Sequence, residues 1–137
     1  MQFPPRVTFP VAVDIVKSSF SAAGFGLPPG TTNMDIATVL RSKGCELACP
    51  EYCILGFCSP SHAAQALAAD PSMGLLLPCN VAIASSAEGP VEVSAMDPYT
   101  MLGLVTKKEE IAPLVLEIHA MVKAAMEGAA SAAAEGP

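Results

Sequence analysis

The chain carries few charged side chains: 15% of its 137 residues are Asp, Glu, Lys or Arg, whereas about 25% is usual for a globular domain. Seven Lys and Arg stand against 13 Asp and Glu, which gives a formal net charge of -6. Nucleic acids and anionic membrane surfaces are therefore excluded as partners, because both are bound through clustered positive charge. So little charge cannot cover a large apolar surface, and we expect a symmetric homodimer. A monomer with an ordinary apolar surface is the alternative.

Long apolar segments are also missing. Met1 to Val7 show no basic region followed by an apolar core, so we expect no signal peptide. The most apolar stretch, Met73 to Ala84, is interrupted by Pro78 and Asn80 and is shorter than the roughly 20 residues that a membrane-spanning helix needs. We therefore expect a soluble, cytoplasmic protein in a reducing compartment.

The common enzyme motifs are absent too. The sequence contains no Gly-x-Ser-x-Gly, no Gly-x4-Gly-Lys-Ser/Thr and no Gly-x-Gly-x2-Gly. The pair Gly24 and Gly26 is followed by Leu-Pro-Pro, which indicates a turn. The adjacent acids Glu109 and Glu110 are explained by a favourable interaction with a helix N-terminus. The motifs therefore indicate no reaction.

The length suits one domain. We expect residues 1–127 to form it, and the Ala/Gly-rich residues 128–137 to be a frayed tail, because they contain nothing large enough to pack. Apolar spacing predicts a first helix from Pro10 to Gly24. A short second helix is predicted up to Gly44, with Thr32 and Asp35 as a capping-box variant.

One single strand and a hairpin are predicted in the middle of the chain. Tyr52 to Cys58 has the pattern of a buried strand, and Ser59-Pro60 is a good start for the Ala-rich helix that follows. Leu75 to Ile83 is predicted as the next strand, paired as a hairpin with Val91 to Ala95.

The strongest helix pattern comes last, with apolar positions from Ile111 to Ala125. Thr106 and Glu109 are predicted to form its capping box, and Pro113 either lies in its first turn or kinks it. Strands interleaved with helices predict an α+β domain, a mostly antiparallel sheet with helices packed over one face.

Five cysteines are the chemical oddity of the chain. An odd number of thiols in a reducing compartment favours free thiols, metal ligation or redox chemistry over a disulfide framework. Cys58 ends a predicted strand just before a helix, and Cys79 follows Pro78 in the next strand. If these strands pair, the two sulfurs approach each other near a helix N-terminus, which favours a thiolate. The alternative is that both are small buried core residues.

A metal site is a second use of these thiols. Cys58, Cys79 and His62 together would suit a soft or borderline metal ion such as copper or zinc. The spacing is not diagnostic, since only Cys58 and His62 make a typical ligand pair. The alternative is that His62 is an exposed residue of an early helical turn.

Cys45, Cys49 and Cys53 recur at every fourth residue, but Gly44 and Pro50 argue against one continuous helix. An irregular loop would still allow these thiols to join Cys58 around copper(I), zinc or an iron–sulfur centre. Unremarkable loop thiols, or one disulfide, are the alternative.

Two segments together resemble a known family: Ile54-Leu55-Gly56-Phe57-Cys58-Ser59-Pro60, and Asp70-Pro71-Ser72-Met73-Gly74-Leu75-Leu76-Leu77-Pro78-Cys79-Asn80-Val81. They are similar to the bacterial and archaeal domain-of-unknown-function family numbered 302, and the resemblance runs from about Val11 to Met101. It implies a compact α+β fold that forms dimers, without an agreed activity. The family commonly has Asn at the position of Ser59 and a basic residue at that of Asn80, so a ligand that needs this basic residue is in doubt here.

The leading hypothesis is a homodimeric, non-enzymatic domain that binds a metal ion or a small ligand in a thiol-lined pocket. The expected ligand-binding residues are Cys58, Ser59, Pro60, His62, Pro78 and Cys79. One alternative is a thiol-dependent enzyme or redox carrier that uses Cys58 and Cys79, with His62 or His119 as the base. The other is a purely structural or interaction module in which all five thiols only pack.

Overall fold

The fold was analysed in a computed structural model, which describes residues 1–28 and 33–136. Within these ranges the helices and strands alternate along the chain. Their bounds are α1 Phe9–Ala22, β1 Met34–Asp35, α2 Ile36–Ser42, β2 Tyr52–Phe57, α3 Pro60–Ala69, a first 3-10 helix Pro71–Leu76, β3 Cys79–Ala84, β4 Glu92–Ala95, a second 3-10 helix Pro98–Gly103 and α4 Lys108–Glu135. The strands form one antiparallel sheet in the order β1-β2-β3-β4. The predicted α+β class is confirmed.

Every second side chain of β2 and of β3 points to the same side of the sheet, and this side faces the core. The register pairs Phe57 with Cys79, Leu55 with Val81 and Cys53 with Ile83, and all six side chains are buried. They pack against α1 and the C-terminal half of α4 in the main core cluster. The helices therefore cover one face of the sheet, as strict apolar alternation on a half-buried sheet requires.

Aromatic packing fixes α1 on this face. Phe20, fully buried, stacks on Phe57 with ring centroids 4.3 Å apart, and Phe25 lies 5.4 Å from Phe20. The helix begins as predicted, with Pro10 in its first turn, and the chain leaves it through Gly24, whose φ is +99°.

The helix α4 joins the two hydrophobic clusters of the domain. Ile111 and Val115 are buried in a second cluster with α3 and both 3-10 helices, whereas Val122 and Ala125 belong to the main cluster. The predicted capping box at Thr106 is wrong: the N-cap position is Lys107, whose side chain makes no capping bond. The helix begins at Lys108, so Pro113 lies inside it and not in its first turn, the first of the two alternatives.

The last residues were expected to fray, yet α4 continues through them to Glu135. Ala129 and Ala133 are buried, at 0% and 1% exposure, and the Arg6 guanidinium donates to the carbonyl oxygen of Ala133 at 2.9 Å. Small side chains let α1 and α4 approach closely: a Cβ added at Gly128 would lie 3.8 Å from the Cβ of α1 residue Ser19. Because α1 and α4 approach closely, small side chains are enough to fill the space between them.

Two other predicted boundaries change. Leu75 does not belong to a strand; it is 87% exposed on the first 3-10 helix, which Asp70 initiates by accepting a hydrogen bond from the Ser72 N–H at 2.9 Å. The predicted cap residue Thr32 lies outside the described residues. Asp35 is itself the N-cap of α2, because its carboxylate accepts from the Thr38 N–H at 3.0 Å.

Over residues 1–28 and 33–136, no helix combines the length and the apolar character needed to cross a membrane.

Candidate functional site

A small cavity of about 40 Å³ lies where the two hydrophobic clusters meet. Phe57 and Cys79 contribute to it from the end of the sheet, and Ala66, Met73 and Ile111 from the second cluster. The complete lining is Phe57, Cys58, Ser59, His62, Ala63, Ala66, Met73, Leu77, Cys79, Pro98, Met101, Ile111, Leu114, Val115 and Ile118. Four of the six predicted ligand-binding residues therefore border one cavity.

The polar groups of the cavity gather at the N-terminus of α3. Ser59 is 8% exposed, and its Oγ lies 2.6 Å from the Nδ1 of His62. The Nε2 of the same ring lies 2.5 Å from the Oε2 of Glu117, on α4. Because the Ser59 hydroxyl points to His62, it makes no capping bond to the helix backbone, although it occupies the position where serine usually caps.

Chemistry assigns the protons in this chain of hydrogen bonds. An ionised carboxylate only accepts, so the Nε2 of His62 carries the ring proton and donates it to Glu117. In the neutral ring the Nδ1 is then the acceptor, and the Ser59 hydroxyl donates to it. The arrangement holds a serine hydroxyl against the basic nitrogen of an oriented imidazole at the wall of a cavity.

Cys58 and Cys79 lie beside this polar end. The backbone of Cys58 is held by a pair of hydrogen bonds with Gly26, at 2.7 Å and 2.9 Å. Burial, and to a smaller extent the nearby Cys58, raise the pKa of the Cys79 thiol to about 11. Cys79 is therefore a neutral thiol at ordinary pH, which weighs against a thiolate role for it.

The other three thiols lie elsewhere. Cys45 is exposed and Cys49 half-buried in the segment between α2 and β2, where the Cys49 carbonyl accepts from the Arg41 guanidinium at 2.7 Å. Cys53 is buried under the sheet, and burial raises its pKa to about 11. All five cysteines are free thiols.

Metal ligands do not converge at the cavity. Among the described residues, no group of three or more His, Cys, Asp or Glu side chains is placed to hold a metal ion. Cys58, Cys79 and His62 share the cavity wall, but His62 already uses both ring nitrogens, toward Ser59 and Glu117. Pro60 and Pro78 do not line the cavity; Pro60 begins α3, and Pro78 precedes β3.

A second, larger cleft of about 350 Å³ lies by β1 and α2, with Asp35, Glu51 and Cys53 in its wall. Asp35 is engaged in capping α2, and its hydrogen bonds to Thr38 lower the pKa of its carboxyl. His119 lies at a helix interface, with its Nδ1 3.2 Å from the Asp97 Oδ1. Neither region gathers the predicted site residues.

Sequence reasoning missed Glu117 and the lining residues of the second 3-10 helix and α4, such as Met101 and Ile111. Glu117 lies 55 residues from His62 and outside any motif, so no local pattern pairs the two. The periodicity of α4 does identify Ile111 as core-facing, but it does not say that the residue borders a cavity.

Comparison with known proteins places this geometry in a family. A family model described as "Domain of unknown function DUF302" matches residues 2–129. A solved structure, an uncharacterised conserved DUF302 protein from Bacillus stearothermophilus, superimposes with a TM-score of 0.80 at 18% identity, covering 94% of each chain. No curated protein matches the chain. The match extends on both sides of the resemblance expected from Val11 to Met101, and the chain belongs to the DUF302 family.

Proposed function

We propose that the domain binds a short, neutral aliphatic molecule with one polar group in the cavity beneath α3. The observation that supports this is the contrast between the wall and the end of the cavity. Apolar side chains such as Phe57, Met73 and Ile111 form the wall, while Ser59 and His62 place polar atoms at one end. An apolar pocket with a few convergent polar groups is the usual form of a small-ligand site.

The volume of the cavity and the negative charge near it limit the class of ligand. A water molecule needs about 10 to 15 Å³ of such volume, so a 40 Å³ cavity holds a chain of a few carbon atoms. An anion is disfavoured, because the Glu117 carboxylate lies at the polar end and the protein carries a formal charge of -6. The ligand is therefore a small alcohol, ketone, amide or ester rather than a fatty acid.

The predicted metal and redox functions rest on weaker support. A copper or zinc ion at Cys58, Cys79 and His62 would require the ring of His62 to leave Ser59 or Glu117. Redox use of Cys79 is opposed by the burial that keeps its thiol protonated. In an apolar wall, the side chains of Cys58 and Cys79 instead offer small, polarizable contacts to an apolar ligand.

Binding of the linear alcohols from methanol to 1-hexanol tests the proposal. Each added CH₂ contributes about 0.8 kcal/mol while it is buried, so the Kd should fall about fourfold per carbon. The series should level off after about three or four carbons, when the cavity is full. Methyl NMR of Met73, Met101 and Ile111 reports the occupied site. A series with no shifts at these methyl groups would contradict the proposal.

A matched pair of variants on α3 controls this measurement. Ala63 lines the cavity, whereas its neighbour Ala64 is exposed on the other side of the helix. Ala63→Leu should weaken 1-butanol binding by about tenfold or more, because the added side chain fills the space. Ala64→Leu makes the same change in helix propensity and should leave the Kd unchanged. Equal effects of the two variants would place the alcohol outside the cavity.

The expected homodimer stays a prediction, for which we propose the uncovered face of the sheet as the contact between copies. Ile54, Gly56 and Ala82 lie on this face, and of its residues on β2, β3 and β4 only Glu92 is charged. A face with a single charged side chain suits close contact with a second copy of itself. Ala82→Lys should convert the dimer to a monomer in sedimentation equilibrium, since it places two like charges in the contact. A wild-type protein that sediments as a monomer would contradict this.

A further inference from the structure

We propose that Ser59 is a catalytic nucleophile, activated by His62 and positioned through Glu117, and that the domain hydrolyses esters of short-chain carboxylic acids. This inference rests on the proposed ligand cavity and adds a reaction to it. Its basis is the hydrogen-bond chain from the Ser59 Oγ to the His62 Nδ1, at 2.6 Å, and from the Nε2 to the Glu117 Oε2, at 2.5 Å. A nucleophile, a base and a group that orients the base are the parts that hydroxyl activation needs.

The position of the serine hydroxyl favours this use over helix capping. A serine at an N-cap normally accepts a hydrogen bond from a backbone N–H of the first turn. Ser59 makes no such bond, and its hydroxyl donates instead to His62. The first-turn N–H groups of α3, at Ser61 and His62, have no acceptor further back in the helix. They lie beside the nucleophile and are the candidates to stabilise a developing oxyanion.

The reaction needs only the ester and water. The Ser59 Oγ attacks the carbonyl carbon while its proton passes to the His62 Nδ1, and the imidazolium remains bonded to Glu117. Collapse of the tetrahedral intermediate expels the alcohol, which takes the proton from the Nδ1, and leaves an acyl ester on Ser59. Water, deprotonated by the same nitrogen, attacks this ester and releases the carboxylic acid. The Ser59 Oγ leaves as the acid forms and takes its proton back from the Nδ1, so the free serine is restored and no oxidant, reductant or metal takes part.

The cavity sets the acyl specificity. Ser59 and His62 lie in its wall, so an acyl group bonded to Ser59 would extend between Phe57, Met73 and Ile111. About 40 Å³ admits acetyl to butyryl groups and excludes long chains. A product carboxylate would be repelled by Glu117, which favours its release.

Hydrolysis of p-nitrophenyl acetate, butyrate and octanoate tests the inference. Ser59→Ala and His62→Gln should each lower kcat/KM for the butyrate ester by about 100-fold or more. Ser131→Ala, at an exposed serine of α4 that does not border the cavity, should leave it unchanged. Glu117→Gln should lower kcat while KM stays near the wild-type value, because Glu117 orients the base without touching the substrate. The octanoate ester should be the poorest substrate.

A second measurement on the wild-type protein does not depend on how the variants fold. A fluorophosphonate probe should phosphonylate Ser59, identified by peptide mass spectrometry. Label on Cys58 or on lysines only, or equal ester hydrolysis by wild type and a folded Ser59→Ala variant, would overturn the inference. Alcohol binding in the cavity without Ser59-dependent turnover would overturn the reaction and leave the ligand site standing. Turnover with no alcohol binding would contradict the ligand proposal alone.

Discussion

Replacing Phe20 by alanine should lower the free energy of unfolding by about 4 kcal/mol, the usual range for a buried phenylalanine. Phe20 is fully buried in the main core cluster, stacked on Phe57 at 4.3 Å and in contact with Phe25 at 5.4 Å. The substitution removes a ring that joins α1 to the sheet. The surrounding sheet and helices relax only partly, so the lost transfer energy is increased by the cost of a cavity.

Urea unfolding followed by far-ultraviolet circular dichroism measures this loss. Leu75→Ala is the control, because Leu75 is 87% exposed on the first 3-10 helix; it should change stability by less than about 0.5 kcal/mol. Because Phe57 also borders the ligand cavity, Phe20→Ala should weaken alcohol binding as well. A Phe20→Ala variant as stable as Leu75→Ala would show that the aromatic stack does not hold α1 in place.

The sequence predicts the middle of the fold well because its signals there are local. Ser59-Pro60 follows an alternating apolar strand. The start of β2 and the start of α3 lie at the predicted residues, and β2 ends at Phe57, one residue before the predicted end. Leu75 shows the limit of the same reasoning. A run of leucines is compatible with a strand or with a helix, so its composition does not distinguish them. Here Asp70 and Pro71 begin a 3-10 helix, and Leu75 lies in that helix.

The sequence does not predict that α4 continues to Glu135, for a different reason. Ala125, Ala129 and Ala133 recur at every fourth position and are all buried. This spacing is a helix-packing signal, but its strength depends on how closely another helix approaches. Only the tertiary structure shows α1 near enough for such small side chains to be buried.

Composition and motif identify only a part of the candidate site. Cys58, Ser59, His62 and Cys79 were predicted together, and they border one cavity. The role of His62 depends on Glu117, which is distant in sequence. From the sequence alone, His62 is either an exposed residue or a base for Ser59. The contact with Glu117 distinguishes the two, and no local pattern predicts that contact.

The protein should lose stability steeply in alkaline solution, through its two buried thiols. Burial raises the pKa of Cys53 and of Cys79 from 9.0 to about 11. In the unfolded chain these thiols lose their protons near the ordinary value, while the folded protein keeps them. Between the two values the folded state therefore binds more protons, and its stability falls as pH rises. Below pH 9.0 the contribution is fully present.

A thiol pKa raised from 9.0 to about 11 stabilises the folded protein by about 3 kcal/mol for each thiol. Most of this stabilisation should be lost by pH 11. Urea unfolding at a series of pH values should show this fall for the wild type. The double variant Cys53→Ala, Cys79→Ala should start lower, because it loses packing, but should decline much less. Cys45→Ala is the matched control at an exposed thiol and should follow the wild type. Parallel decline of the wild type and the double variant would assign the alkaline loss to other groups, and the buried thiols would then be without the predicted effect.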